Sequence, residues 1–490
     1  MVKPRPLGRI GKAGRRWLIL FHRWAGIAAG LFFALWIGSG LVMLYVPFPA
    51  LSQAERLARL SPIAWDLVSV PPDDALRAGG LGGVPAVFGL EMRGGEPVYR
   101  ITGEGGARAT VSARTGARLG PVEPETALRL AAGDRAAARV DPVERDQWTV
   151  TARYDPLRPF LKVTLGDAAG TELYVSQVTG EIALDTTRSE RAWNWLGSVP
   201  HWIYLTPLRA RTELWRAVLL WLSGFAALGA LSGLAAGIWR LRLRRRYARG
   251  AVTPYRGLAR WHHLIGLAGG LGLGAFILSG WVSMNPNRWF TSARPPDGLR
   301  AAYAGTPPAL RLDARTLRDR AGPGTLALRF AAIGGRWSVI AETPNGPRTF
   351  GPDGPAGLDT DAIAAAAAGV VCEGTLRKLE RLTAFDAYWY PHGADPRPLP
   401  VLRLRFDDPA ATWLHIDPRD GTILNRLDRS GRVNRWLFDA PHRLDLPGLT
   451  DKPSLRGAAQ WVLNLLAAGI AVTGIIAGWR RIGRGLAQSR

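Results

Sequence analysis

Four long runs of apolar residues dominate the hydrophobic pattern of the chain. Each run exceeds twenty residues, which is long enough to cross a bilayer as an α-helix. Between the first and second runs, and again between the third and fourth, longer segments alternate short apolar stretches with polar turns. The pattern therefore predicts a membrane protein with four transmembrane helices, at residues 17–46, 214–239, 258–284 and 457–479.

The first and third apolar runs are two copies of one sequence. Residues 21–43 read FHRWAGIAAGLFFALWIGSGLVM, and residues 261–284 read WHHLIGLAGGLGLGAFILSGWVSM. An offset of 240 positions takes His22 to His262. The same offset aligns Gly26/Gly266, Gly30/Gly270, Ser39/Ser279 and Gly40/Gly280. The second and fourth runs match through Gly233/Gly474 and Gly237/Gly478, so the whole chain is predicted to be a tandem duplication.

The two long segments, residues 47–213 and 285–456, also match each other. Each contains short strand-like runs, turns rich in Gly, Pro and Asp, and one helix-like stretch. PLRPFLKVTLGD from Pro156 is similar to PRPLPVLRLRFDD from Pro396. The predicted fold class is therefore a membrane protein of two tandem halves, each with two helices and an α+β domain between them. Because both halves keep one topology, their pseudo-two-fold axis is expected along the membrane normal.

Basic residues assign a side of the membrane to each segment. The formal net charge is +24, and most of the excess falls in three short segments: residues 1–16, 240–257 and 480–490. Lysine and arginine accumulate in cytoplasmic loops, so both termini are expected in the cytoplasm and the two long segments on the opposite side. No basic patch is left over for nucleic acid, which argues against that class of partner.

Several kinds of cofactor site are excluded by what the sequence lacks. Cys372 is the only cysteine, so the chain has no disulfide framework, thiolate zinc site or iron–sulfur cluster. It has no Walker A loop and no GxGxxG motif between a strand and a helix. No predicted cytoplasmic segment is large enough to bind NAD(P)H or a flavin. Electrons for any redox chemistry are therefore expected from quinol or from a cytoplasmic reductase.

Four of the seven histidines fall at repeated positions. His22 and His262 lie at the cytoplasmic ends of the first and third helices, and His201 and His442 lie just before the second and fourth. Two axial histidines related by a two-fold axis suit a planar macrocycle, so the sequence predicts two b-type haems with these residues as iron ligands. The glycines expected to leave space for the rings are Gly26, Gly30, Gly266 and Gly270.

Two alternatives stay open for these residues. His263 is a rival to His262, because adjacent helical residues point in different directions and only one of them can face the bundle interior. The histidines can also simply face lipid headgroups, with the glycines serving helix packing. Of the remaining histidines, His392 belongs to an aromatic loop or a substrate-facing patch. His415 aligns with Tyr174 and is expected to be structural.

With these motifs the chain resembles the PepSY-associated transmembrane family, which includes iron-regulated membrane proteins and siderophore reductases of bacterial inner membranes. The residues that carry the resemblance are His22-Arg23-Trp24-Ala25-Gly26, Trp261-His262-His263, Pro441-His442-Arg443, Thr179-Gly180 and Asp420-Gly421. The resemblance implies exported PepSY-like domains at residues 47–213 and 285–456 and, as in some members, haem-dependent reduction of ferric siderophores.

Two functions are therefore expected, from different classes. The first is haem-dependent electron transfer across a bacterial inner membrane, with reduction of a ferric siderophore or related iron chelate in the periplasm. The second is a non-enzymatic binding or regulatory role of the PepSY-like domains.

Overall fold

The computed structural model describes most of the chain. The described residues are 11–133, 136–291, 294, 297–355, 358–371, 373–391 and 397–488. Cys372, His392 and the first ten residues of the predicted basic lead lie outside them.

The described residues form α-helices and β-strands in an order that repeats once along the chain. The helices are α1 Lys12–Met43, α2 Gln53–Ala58, α3 Pro72–Gly79, α4 Pro124–Ala132, α5 Arg188–Leu196, α6 Ser198–His201, α7 Thr206–Arg209, α8 Thr212–Arg240, α9 Gly257–Ser283, α10 Asp297–Ala304, α11 Ala314–Ala321, α12 Thr360–Ala368, α13 Arg429–Asn434, α14 Ala440–Arg443 and α15 Pro453–Gln488. The strands are β1 Val87–Arg93, β2 Glu96–Thr102, β3 Arg108–Ser112, β4 Arg139–Val143, β5 Phe160–Thr164, β6 Glu172–Ser176, β7 Ile182–Thr186, β8 Ala327–Ile333, β9 Arg336–Glu342, β10 Arg348–Gly351, β11 Gly354–Pro355, β12 Leu376–Leu382, β13 Val401–Phe406, β14 Trp413–Ile416 and β15 Ile423–Leu427.

Helices α1, α8, α9 and α15 are long and apolar enough to cross a membrane, and they form one bundle. Helix α1 packs on α8 and α15, and α9 packs on the same two helices, so α1 and α9 are diagonal neighbours. Large apolar side chains such as Leu31, Trp221 and Leu271 are exposed on the outside, where lipid would cover them. The chain is a multi-pass membrane protein, and the prediction of four transmembrane helices in two halves is confirmed.

The helix ends follow from local sequence. Helix α1 stops at Met43, just before Pro47, and α9 stops before Asn285, which adopts a left-handed conformation and precedes Pro286. Helix α15 continues past its apolar run into arginine-rich turns, because arginine is a good helix former. We call the end of the bundle with residues 241–256 the basic end, and the opposite end the sheet end.

The two halves share one seven-stranded sheet, with strand order β11-β10-β9-β8-β1-β2-β3. The equivalent strands β1 and β8 pair antiparallel at its centre, with Leu90 opposite Leu328. Phe88 stacks on Phe330 across this junction, with ring centres 4.5 Å apart. One hydrophobic core therefore contains residues of both halves. The sequence predicted two α+β regions, and the structure shows that β1 and β8 join them.

Each half also has its own four-stranded sheet, β4-β5-β6-β7 in the first and β12-β13-β14-β15 in the second. A turn from each small sheet is anchored to the shared sheet by an arginine. Arg100 donates a hydrogen bond to the backbone oxygen of Thr179, and Arg329 pairs with Asp420. Both turns contain a glycine with positive φ, Gly180 and Gly421, where other residues would be strained. The repeated Thr-Gly and Asp-Gly turns are thus docking points between sheets.

Candidate functional site

His22 on α1 and His262 on α9 face each other across the bundle near its basic end. Their ring centres are 6.3 Å apart and their planes differ by 26°. Each ring lies against a glycine of a neighbouring helix. A Cβ atom at Gly233 would lie 2.4 Å from Cε1 of His22, and a Cβ atom at Gly474 would lie 3.2 Å from Cε1 of His262. We call His22 and His262 the basic-end pair.

His201 and His442 form a second pair at the sheet end. Their ring centres are also 6.3 Å apart, with planes that differ by 68°. They again lie against repeated glycines: Cβ atoms at Gly40 and Gly280 would be 3.3 Å and 3.5 Å from the respective Cε1 atoms. We call His201 and His442 the sheet-end pair. The structure therefore brings together the two histidine pairs that the repeat predicted.

Hydrogen bonds at Nδ1 determine which nitrogen is free in the basic-end pair. Nδ1 of His22 lies 3.2 Å from the backbone oxygen of Gly229, which only accepts, so this nitrogen carries the hydrogen. Nδ1 of His262 lies 2.9 Å from the hydroxyl of Thr473, which itself donates to the oxygen of Gly469. Nε2 of both rings has no hydrogen-bond partner among the described residues.

The sheet-end pair repeats this arrangement with serines. Nδ1 of His201 lies 3.2 Å from the oxygen of Trp36 and 3.1 Å from the hydroxyl of Ser39. Nδ1 of His442 lies 3.1 Å from the oxygen of Phe276 and 3.0 Å from the hydroxyl of Ser279. These contacts again place the hydrogen on Nδ1 and leave the Nε2 lone pair available. A hydrogen-bonded Nδ1–H is the usual support for a histidine that binds metal through Nε2.

Short helices hold the sheet-end histidines in place. Helix α5 begins with a capping box between Thr187 and Glu190. Its buried Asn194 donates to the backbone oxygen of Pro47 at 3.0 Å, which ties α5 to the end of α1. Asn194 also accepts a hydrogen bond from Ser198, at the start of the helix that carries His201. The position of this histidine is thereby coupled to the first transmembrane helix.

A cavity of about 510 Å³ lies between the four long helices at the sheet end, and both histidines of the sheet-end pair line it. Its walls are largely apolar, with an ion pair between Arg456 and Asp445 at 2.7 Å on one side. Burial lowers the pKa of His201 to about 4 and that of His442 to about 3. Both imidazoles are therefore neutral at ordinary pH, the form that binds metal.

The two pairs lie at different depths in the bundle. Ser39, which contacts His201, follows His22 by 17 residues on α1, and Ser279 follows His262 by the same number on α9. At about 1.5 Å per helical residue, the two levels are about 25 Å apart. One small planar ligand cannot contact both pairs.

His263 is held differently from its neighbour. It is buried, its Nδ1 lies 2.7 Å from the hydroxyl of Thr253, and its Nε2 lies 2.9 Å from the backbone oxygen of Gly237. Both ring nitrogens are therefore engaged, and the side chain ties residues 241–256 to α8. Between the two rivals, the geometry favours His262 as a metal ligand.

The four predicted glycines fall into two groups. Cβ atoms at Gly26 and Gly266 would have no neighbour within 4 Å, so space is available beside the basic-end pair. Cβ atoms at Gly30 and Gly270 would lie 3.3 Å from side chains of adjacent helices, so these two glycines serve helix packing. The glycines that contact the histidine rings are Gly40, Gly233, Gly280 and Gly474. They occur in the sequence as repeated pairs, but the sequence does not indicate which side chains they contact.

His415 lies away from both pairs, in a buried network of the second small sheet. Its Nε2 accepts a hydrogen bond from Nε of Arg403 at 2.8 Å, and its Nδ1 lies 2.7 Å from the amide oxygen of Asn425. Arg403 also forms two hydrogen bonds to the carboxylate of Asp386. With both nitrogens in use, His415 has the structural position that the sequence predicted.

Comparison of the chain with protein-family models, with curated proteins and with solved structures finds no match.

Proposed function

We propose that the protein carries electrons across a bacterial inner membrane through two b-type haems and reduces a ferric chelate on the far side. The observation that supports this most is the spacing of the histidine pairs. With metal–nitrogen bonds of about 2 Å, two imidazoles that would hold one iron from opposite sides would have ring centres about 6 Å apart. Both pairs have ring centres separated by 6.3 Å.

The donor set also fits a macrocycle better than a bare metal ion. Each pair supplies two imidazole nitrogens, whereas a structural zinc site needs four protein ligands. Among the described residues no group of three or more His, Cys, Asp or Glu side chains is arranged to hold a metal ion. A haem would need only two imidazole nitrogens from the protein, the number that each pair supplies.

Each part of the chain has a definable task in this proposal. His22 and His262 would hold one haem and His201 and His442 the other. A bound haem would supply one-electron chemistry at each level. The Nδ1–H hydrogen bonds fix the ring orientations and raise the basicity of Nε2. Arg443 and Arg456, on the wall of the sheet-end cavity, provide positive charge for haem propionates. The apolar core between the two levels excludes water.

The proposal assigns the donor and the acceptor to opposite ends of the bundle. We assign the basic end to the cytoplasm, because arginine-rich segments are retained there, and the sheets to the periplasm. The donor is then quinol or a cytoplasmic reductase, and the acceptor is a ferric siderophore or a related iron chelate. The resemblance to PepSY-associated siderophore reductases supports this choice of acceptor.

Purified protein from haem-replete cells is expected to show a Soret band and, after reduction, separate α and β bands. The reason is that bis-histidine ligation gives a low-spin haem. Absorbance spectra of the oxidised and dithionite-reduced protein test this directly. Colourless protein, with no haem extractable into acidified acetone, would contradict the proposed function.

The assignment of the basic end to the cytoplasm and of the sheets to the periplasm can be tested separately. Reporter fusions after residues 120 and 350 are expected to behave as periplasmic, since both positions lie in the sheet regions, and fusions within residues 241–256 as cytoplasmic. An alkaline phosphatase fusion and a fluorescent protein fusion at each position report opposite sides. Cytoplasmic behaviour after residue 120 or 350 would reverse the direction assigned to electron flow.

A non-enzymatic binding role of PepSY-like domains is the second candidate. The observation that favours it is a separate cavity of about 810 Å³ in the sheet region, lined by none of the four paired histidines. A colourless protein that still binds a ligand in this cavity would support this candidate over the first.

A further inference from the structure

The cavity in the sheet region lies where the two halves meet. It measures about 810 Å³, within the usual range for ligand sites, and strands of both halves line it together with turns of both small sheets. Its floor is the polar face of the shared sheet around β1. The opposite face of the same strands forms the hydrophobic core that contains Phe88 and Leu90.

Gly89 lies at the centre of this floor, between two arginines. It is opposite Arg100 on β2 and opposite Arg329 on β8, so both arginines project from the same face of the sheet. A Cβ atom at Gly89 would lie 2.7 Å from the backbone oxygen of Leu328, so this position requires glycine. Because Gly89 has no side chain, the floor of the cavity is open between the side chains of Arg100 and Arg329.

Carboxylates neutralise only part of the positive charge in the cavity. Glu91 bridges Arg100 at 2.8 Å and Arg56 at 2.6 Å. Burial alone would raise the pKa of Glu91, but these two arginines outweigh burial and hold the pKa below its usual range. The single carboxylate of Glu91 therefore cannot neutralise both guanidinium groups. Arg329 is paired with Asp420 of the turn above it.

Arg93 supplies a charge that forms no direct ion pair with a carboxylate of the described residues. It lines the cavity and has no ion pair or hydrogen bond among the described residues. Its Nη1 atom and the Nε atom of Arg108 are buried without hydrogen-bond partners. Desolvation lowers the pKa of Arg93, the nearby charge of Arg100 lowers it further, and the carboxylate of Glu96 acts in the opposite direction. In total, six arginines and four carboxylates line the cavity; Arg108 is paired with Glu181, and Arg59 is paired with a fifth carboxylate, Asp185, just outside the lining. A partly buried guanidinium that lacks hydrogen-bond partners is stabilised when an anion binds to it.

The repeat shows that the strands do not need arginine at two of these positions. The offset of 240 takes Arg93 to Ile333 and Arg100 to Ile340, so the second half builds the same strands with apolar residues at these positions. Packing of the strands therefore does not require the arginines. Arg100 also anchors the turn at Thr179, so Arg93 is the arginine of these two without a structural contact of that kind.

We propose that this cavity binds a small polyanion that carries several carboxylate or phosphate groups. Arg93, whose Nη1 has no hydrogen-bond partner, would give such a ligand direct contacts, and Arg100 and Arg329 on either side of Gly89 would add positive charge. The binding site does not include either histidine pair, so it is compatible with both functions proposed above and depends on neither.

Citrate is a suitable probe. Calorimetric titration of the detergent-solubilised full-length protein with citrate at pH 7 is expected to show saturable binding, with glycerol as the neutral comparison. Arg93→Gln should weaken citrate binding by about tenfold or more, since it removes one charged hydrogen-bonding partner. Val87→Glu should also weaken it, because Val87 is exposed, lines the cavity and would place a negative charge there without changing the core.

Arg77→Gln is the matched control. Arg77 is a surface arginine of the same half, paired with Asp74 and outside the cavity lining, so its loss should leave citrate affinity unchanged. Only variants whose melting temperature and gel-filtration profile match those of the wild type are compared. Absence of citrate binding by the wild type would overturn the proposal, as would unchanged affinity in both Arg93→Gln and Val87→Glu. A loss in Arg77→Gln equal to that in Arg93→Gln would also overturn it, by showing non-specific attraction.

Discussion

His22→Ala and His262→Ala are each expected to remove one of the two proposed haems and to leave the other spectrally intact. The physical reason is depth: the basic-end pair and the sheet-end pair lie about 25 Å apart along the bundle, so no macrocycle exchanges ligands between them. His201→Ala and His442→Ala should remove the complementary haem. The haem-to-protein ratio of the purified variants, measured by the pyridine haemochrome method, should fall from two to one in each case.

His263→Ala is the matched control for this series, because His263 adjoins His262 but has both ring nitrogens in hydrogen bonds. This variant should retain both haems. Each of the other four should reduce electron transfer from quinol to a ferric chelate to background, since both levels are needed to cross the membrane. If His263→Ala loses a haem while His262→Ala keeps both, the ligand assignment is wrong. If no substitution alters the haem count, the paired-ligand model is wrong.

Gly233→Ala is expected to remove the basic-end haem although every histidine remains. The added Cβ atom would lie 2.4 Å from Cε1 and 2.8 Å from Nδ1 of His22, so the ring would have to leave its position and its hydrogen bond to Gly229. The effect cannot come from a weaker helix, because alanine favours a helix over glycine by about 1 kcal/mol. Haem content and the melting temperature of the same sample separate the two effects.

Gly38→Ala is the control for this substitution, since a Cβ atom there has no neighbour within 4 Å. It should keep both haems. Gly40→Ala should disturb the sheet-end haem more mildly than Gly233→Ala disturbs the other, because its Cβ atom would be 3.3 Å from Cε1 of His201. Normal haem content in Gly233→Ala would show that His22 is not seated against α8.

Much of the architecture could be predicted from local features of the sequence. The length of each apolar run predicts a membrane helix, because the bilayer thickness sets that length. Repetition at an offset of 240 identifies His22 and His262 as equivalent, and two equivalent residues near a two-fold axis lie close to each other. The same reasoning pairs His201 with His442. None of these inferences requires knowledge of which helices are neighbours.

The choice between His262 and His263 depended on tertiary structure. Both residues lie at the start of α9, and sequence spacing alone allows either to face the bundle axis. The decision came from Thr253 and Gly237, which occupy the two nitrogens of His263 and belong to other parts of the chain. The contacts of Gly233 with His22 and of Gly474 with His262 also depended on tertiary structure. A glycine in a helix does not reveal which side chain of another helix will approach it.

The sequence by itself thus determined the four membrane helices, the two halves and the equivalent histidines, because hydrophobic length and repetition are properties of contiguous residues. Only the tertiary structure decided that β1 and β8 join the halves in one sheet and that a cavity lined with arginines lies at that junction. Strand pairing between residues 240 positions apart depends on hydrogen bonds between backbones, which carry no sequence signature of their partner.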